Sequence, residues 1–217
     1  MKKNTILQNT FSITYTLLLT TAVITFIEAI RTPNPRIRHI LNLETCISCV
    51  ACYFYGKFID KIDKNNVDWK DITETRYIDW SITTPMMLLA LCLILSMNTN
   101  TVIHFKTIFL IIILNYLMLL MGYLGEINII NRYNGMIFGF IPFILMFYII
   151  YVNYIKPQYV YANYIIFGIY LIVWSLYGVV YLFGEETKNI LTNILDLIAK
   201  CIVGLGLWIY YTKIVEL

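Results

Sequence analysis

Apolar residues fill this chain in blocks of about twenty or more, separated by short polar knots and without strict alternation inside them. A run of ~20 residues at about 1.5 Å each is what a helix needs to cross a hydrocarbon core. Long non-alternating runs exclude a strand barrel, whose segments are shorter and alternate. The pattern predicts seven helices: Ile6 to Ile30, Ile37 to Ile59, Thr75 to Met97, Val102 to Leu124, Gly135 to Tyr154, Tyr159 to Phe183 and Ile190 to Tyr211. Connections are short except Asp60 to Glu74, a Lys/Asp/Asn run that reads as a polar loop or a hairpin. No internal repeat and no Gly/Ser-rich linker interrupts the chain, so residues 1–217 are expected to form one domain.

Composition points the same way. Hydrophobic residues make up 59% of the 217 and charged residues 13%, a balance no soluble domain of this size carries without aggregating. The first apolar stretch begins late, after Asn4, Gln8, Asn9 and Thr10, and no small-residue cleavage site follows it. It reads as a first transmembrane helix and not as a removed signal. The purely basic connections (Arg31 to Arg38, Lys106, Lys156, Lys213) belong inside, and Asp60, Asp63, Asp68, Asp71, Glu126, Glu185 and Glu186 outside. That places the N-terminus outside and the C-terminus in the cytoplasm. The net charge of +3 reflects these flanking residues and not a nucleic-acid patch.

Against this background the ionisable residues inside the spans carry the chemistry, because a charge in lipid is expensive. Lys200 sits within the last span with Asp196 four residues earlier, one helical turn, on the same face. The third span opens Arg76-Tyr77-Ile78-Asp79-Trp80-Ser81-Ile82-Thr83-Thr84-Pro85, which places Arg76, Asp79 and Thr83 on one stripe. Two cations and two carboxylates make a neutral buried set. One reading is an ion network that only holds helices together. The other is a site for a Schiff base: a dry, carboxylate-flanked lysine can attack an aldehyde, and the carboxylates then stabilise the iminium. Trp80, Thr84 and Met87 on one stripe, with Trp174, Tyr177 and Tyr181 on the sixth helix, could sandwich a flat polyene. Core packing or an interfacial aromatic belt would give the same spacing.

These residues resemble a known family, the microbial (type 1) rhodopsins. There the third helix reads Arg-Tyr-x-Asp-Trp-x-x-Thr-x-Pro and the seventh Asp-x-x-x-Lys; Arg76 to Pro85 and Asp196 to Lys200 match both, and Trp174-Ser175-Leu176-Tyr177 extends the match. The resemblance implies an all-α membrane protein, a seven-transmembrane-helix bundle, with all-trans retinal bound to Lys200 as a protonated Schiff base. It implies Asp79 as counterion and proton acceptor, Asp196 as second counterion, and Arg76 as extracellular gate. Thr83 would hydrogen-bond Asp79, and Tyr55 and Tyr177 would hold Asp196. Tyr77, Trp80, Thr84, Met87, Met118, Gly122, Trp174, Tyr177 and Tyr181 would form the retinal pocket, Met87 favouring green absorption. Lipid, protons or small cations, and further copies of the chain in a trimer or pentamer are the implied partners; the family member is not an enzyme.

The departures from the family pattern matter as much. The usual cytoplasmic donor, eleven residues after the acceptor, is Ala90 here, and Glu44 on the second helix lands beside its place. A carboxyl buried without a counter-charge keeps its proton, the state a donor needs. Packing or lining a channel entry are the other readings of Glu44. Of the family's proton-release pair, Glu186 fits one member while Lys188 stands where the other would be, and Gly178 replaces a proline of the sixth helix. Short loops, an Asn/Ile/Tyr/Lys-heavy composition and the acid on the second helix are most similar to the rhodopsins of large DNA viruses. An outward proton pump is the expected activity, with a light-gated cation channel or a sensory photoreceptor as alternatives.

Other features look structural. Cys46, Cys49 and Cys52 rotate around a helix and cannot close a tetrahedral site, so they read as small buried thiols, like Cys92 and Cys201. His39 and His104 flank helix ends at headgroup level, and Glu28 either snorkels to the interface or lines a cytoplasmic path.

Overall fold

The computed structural model describes residues 2–62 and 67–212, with side chains from Thr5 onward; Asp63 and Lys213, used above to orient the chain, lie outside the described residues. Every regular element among the described residues is helical. They are α1 (Lys2–Arg31), α2 (Pro35–Ile62), α3 (Trp69–Thr99), α4 (Phe105–Glu126), α5 (Arg132–Ile150), α6 (Tyr161–Val180), α7 (Glu185–Asp196) and α8 (Val203–Thr212). A π-helical turn, Tyr151–Ile155, prolongs α5, and another, Leu197–Ile202, joins α7 to α8. The stretch Glu185–Thr212 is therefore one continuous seventh helix. Six of the seven helices are long and apolar enough to cross a membrane; α2 is long enough but more polar, carrying Arg36, Arg38, Glu44, Lys57, Asp60 and Lys61.

The helices outrun their apolar blocks where capping chemistry permits. The expected polar loop or hairpin from Asp60 to Glu74 is a correction: Asp60 to Ile62 still belong to α2, and α3 begins at Trp69. Asp68 is the cause, since its Oδ1 accepts from the amides of Lys70 and Asp71 at 3.0 and 3.2 Å and starts the helix early. Asn34 and Asn131 cap in the same way, accepting from the amides of Arg36 and Tyr133 at 2.9 Å each. After α3, Asn100 takes a left-handed conformation (φ 51°) and the Thr101 amide returns to the Ser96 carbonyl at 3.1 Å, which ends the helix.

The chain gathers into two compact units, residues 1–79 with 183–217, and residues 80–182. In the first, α1 lies along α2, and the seventh helix packs on both. The buried stripe of α2 reads Ile40, Leu41, Glu44, Ile47, Ser48, Ala51, Tyr55, Phe58 and Ile62, a helical period that puts polar and aromatic residues on one inward face. Cys46 and Cys49 fall on the opposite, exposed face, so of the three thiols expected to be buried on α2 only Cys52 is.

In the second unit α4 packs along α5, and rings of α5 and α6 interlock, Phe143 with Phe147 at 4.8 Å and Phe147 with Trp174 at 6.0 Å between centroids. Asn98 donates to Asn163 at 2.7 Å, and Asn163 donates to the Leu95 carbonyl at 3.0 Å, tying α3 to α6. At Gly178 a β-carbon would collide with the Phe140 ring, so a larger residue there displaces that ring. His39 and His104 are exposed at helix ends, and Glu28 meets Arg31 at 3.9 Å where α1 finishes, which favours the interfacial reading of that carboxylate.

Candidate functional site

Lys200 lies within the π-helical turn of the seventh helix and is fully buried. Widened turns of this kind cluster at functional positions because they re-aim a side chain relative to its neighbours. The ammonium meets Asp79 Oδ2 at 3.0 Å and Asp196 Oδ1 at 3.5 Å. Asp196 Oδ2 in turn accepts from the Tyr55 hydroxyl at 2.7 Å and faces Arg76 Nη1 at 3.4 Å. Carboxylates and cations thus alternate, Asp79, Lys200, Asp196, Arg76, and the buried charge sums to zero. Only such compensation makes four charges tolerable in a dry interior.

The guanidinium of Arg76 is held more fully than the sequence suggested. Its Nη2 donates to Asn189 Oδ1 and Asn193 Oδ1, both at 3.0 Å. Around it stand the rings of Phe58, Phe11 and Tyr55, with centroids 4.8, 5.6 and 5.8 Å from Cζ, inside the range of cation–π attraction. Asn193 is the hinge of the set: its Oδ1 also lies 3.1 Å from the Tyr55 hydroxyl, whose single proton goes to Asp196, and its Nδ2 donates to Thr10 at 3.0 Å. Asn193→Leu strands an Arg76 donor and the Thr10 contact in an apolar site. We expect a loss of about 1–3 kcal/mol, read as a lower midpoint of thermal bleaching, with a smaller effect in Thr10→Val.

Glu44 is buried on the same face of α2, and its Oε1 has no hydrogen-bond partner among the described residues. Its Oε2 lies 3.2 Å from where a β-carbon on Gly204 would stand, so the glycine makes the room that the carboxyl occupies. Because Tyr55 reaches Asp196 and Glu44 adjoins Gly204, α2 runs antiparallel to the seventh helix, and Glu44 lies one turn beyond Lys200 on the side away from Arg76.

The remaining expected residues are placed as follows. Glu186 is half-buried in the first turn of α7 and is not a partner of Arg76; Lys188 pairs with Glu185, at 2.9 Å. Tyr77 is half-buried, and Thr83 is fully buried. In the second unit Trp80 meets Tyr177 edge-on at 5.7 Å. Thr84 donates to the Trp80 carbonyl at 2.6 Å and accepts from Asn115 at 2.8 Å. Tyr181 donates to the Gly122 carbonyl at 3.0 Å, and Met87 and Trp174 are buried while Met118 is half-buried. Asn115, Asn189 and Asn193 escaped the sequence reading; all three lie on buried faces of long apolar helices, where a lone amide is itself a signal.

A buried amine between two carboxylates fits covalent attachment of an aldehyde: the amine is shielded from water, and the carboxylates would hold the positive charge that condensation leaves on nitrogen. The 3.0 Å contact with Asp79 is also a distance over which a proton can pass.

Comparison with known proteins agrees. The family model for bacteriorhodopsin-like protein matches residues 6–214. The crystal structure of viral rhodopsin OLPVRII aligns with a TM-score of 0.91 at 42% identity, covering 97% of this chain and 99% of that one. A green-light absorbing proteorhodopsin from Gamma-proteobacterium EBAC31A08 is 26% identical over 211 residues, 88% of this chain and 80% of that protein. A proton pumping rhodopsin from the marine alga Acetabularia acetabulum shares the fold, with a TM-score of 0.79 at 21% identity over 96% of each chain. By family match, helical architecture and the lysine–carboxylate site, this chain belongs to the bacteriorhodopsin-like proteins and is a multi-pass microbial rhodopsin that resembles the viral ones.

Proposed function

We propose that this chain is a light-driven outward proton pump whose chromophore is retinal held on Lys200. The observation that carries the reading is the placement of two carboxyl groups on opposite sides of the lysine: Asp79 in contact at 3.0 Å and Glu44 buried one turn beyond it. When bound, the retinal supplies light absorption and a change of shape that displaces the Nζ proton. The residues do the rest. Asp79 takes the proton from Nζ, Arg76 and Tyr55 hold Asp196 in place beside Nζ, and Glu44 returns a proton to Nζ.

With the N-terminus outside, α2 enters from the cytoplasmic face, so Glu44 is the cytoplasmic donor and Arg76, with Asn189 and Asn193, faces the extracellular path. Arg76 then gates release, and Glu186, in the seventh helix's first turn beside the Glu185 that Lys188 holds, receives the proton. The relatives support the coarse reading, one being described as green-light absorbing and another as proton pumping. The family resemblance assigns Trp80, Thr84, Met87, Met118, Gly122, Trp174, Tyr177 and Tyr181 to retinal binding, Met87 favouring green absorption. The chain works as one seven-helix domain, in a homo-oligomer.

The test is photocurrent against voltage with identical solutions on both sides of the membrane. A pump drives current at zero voltage and keeps its sign; a channel's current vanishes and reverses there, and a sensor passes none. In Glu44→Gln, return of the proton to Nζ should slow at least tenfold, since the isosteric amide has no proton to give. Unchanged kinetics in that variant would remove Glu44 from the donor role.

A further inference from the structure

Three of the buried polar atoms that lack hydrogen-bond partners among the described residues follow one another along the packing of α2 on the seventh helix: Ser48 Oγ, Glu44 Oε1 and the Tyr211 hydroxyl. Glu44 and Ser48 are one turn apart on the same face of α2, where side chains are neighbours. Tyr211 stands two turns after Gly204 on the same face of the seventh helix, and Gly204 adjoins the Glu44 carboxyl. Gly204 and Thr21 complete the walls, a β-carbon at 204 falling 3.0 Å from Thr21 Cγ2 and 3.2 Å from Glu44 Oε2.

Ser48 departs from the habit of its neighbours. Hydroxyls in these helices return to the carbonyl one turn back: Thr21 to Leu17, Thr25 to Thr21, Thr45 to Leu41, Thr84 to Trp80, Ser175 to Leu171, all at 2.6–2.9 Å. Ser48 is fully buried and makes no such bond, so its hydroxyl is free to serve another group. Orphaned buried polar atoms are costly, and internal water with two to four partners is the usual remedy. Glu44 Oε1 and Ser48 Oγ, one turn apart and both unpartnered among the described residues, offer such a water two partners.

We propose that Glu44, Ser48 and Tyr211 hold a short file of internal water, a proton path with Ser48 on the Lys200 side of Glu44 and Tyr211 on the outer side. The order follows from the antiparallel packing. Ser48 is one turn from Glu44 toward Tyr55, which marks the level of Asp196, while Tyr211 lies two turns past Gly204 in the other direction. Glu44 and Lys200 make no direct hydrogen bond, and water at Ser48 bridges them. Ser48 and Tyr211 are thus positioning residues, acting through water on the carboxyl. The inference rests on Glu44 being the donor.

Infrared spectroscopy of the pigment in the dark tests it. The carboxyl C=O band lost in Glu44→Gln identifies Glu44; Ser48→Ala and Tyr211→Phe should each move that band to higher frequency, as a carbonyl does on losing a hydrogen bond, while the visible colour shows that both variants are folded. Return of the proton to Nζ should slow about tenfold in Ser48→Ala and recover toward normal in Ser48→Thr. A Glu44 band that neither variant moves overturns the water file and leaves the donor standing. Absence of any such band means Glu44 is ionised in the dark, which overturns the donor and the file together.

Discussion

Lys200→Ala should give a protein with no visible absorption band, however much retinal is added. Two lysines are buried among the described residues, and Lys188 is held by Glu185 at 2.9 Å at the start of α7, leaving Lys200 alone with a buried amine between carboxylates. The variant also leaves Asp79 and Asp196 facing each other's charge with only Arg76 to balance them, and removing one partner from a buried ion set costs about 3–5 kcal/mol. Loss of colour could therefore be misread as loss of fold. The double variant Lys200→Ala with Asp79→Asn separates the two, because deleting one cation and one anion restores neutrality. Its thermal unfolding should return toward that of the parent while the protein stays colourless. A visible band in either variant would place the chromophore elsewhere and undo the site.

Much of this site could be read from the chain because its signals are of the strongest kind. Lys200, Asp196, Asp79 and Arg76 are charges inside apolar runs, and their one-turn spacings already put them on shared faces. Seven helices followed from the apolar runs, although α2 is more polar than the other six. Helix ends did not, because hydropathy measures the apolar block and not the helix: Asp68 starts α3 six residues before the block, and α7 begins at Glu185, five residues before its block. The π-helical turn around Lys200 has no signature in residue type, since it is set by packing. Asn189 and Asn193 were passed over because a lone asparagine suggests no chemistry until its partner is known, and the partner, Arg76, comes from another helix. Cys46 and Cys49 went wrong for the opposite reason: membrane-facing surface tolerates small apolar side chains as readily as the core does.

Asp79→Asn should shift the pigment to longer wavelength, abolish the state in which Nζ has lost its proton, and remove the current at zero voltage. The carboxylate 3.0 Å from Nζ attracts a cation there by about 5 kcal/mol at an effective dielectric constant of about 20, before desolvation is counted. That attraction favours the ground state, in which positive charge sits on nitrogen, over the excited state, in which it has moved away; losing it narrows the gap and lengthens the wavelength. The amide accepts no proton either. Asp196 remains, 3.5 Å from Nζ, but Tyr55 at 2.7 Å and Arg76 at 3.4 Å already hold its Oδ2, so it does not take the proton in Asp79's place. A variant that still pumps would show that Asp196 is the acceptor after all, and the double variant Asp79→Asn with Tyr55→Phe, which loosens that hold, should then pump faster than Asp79→Asn alone.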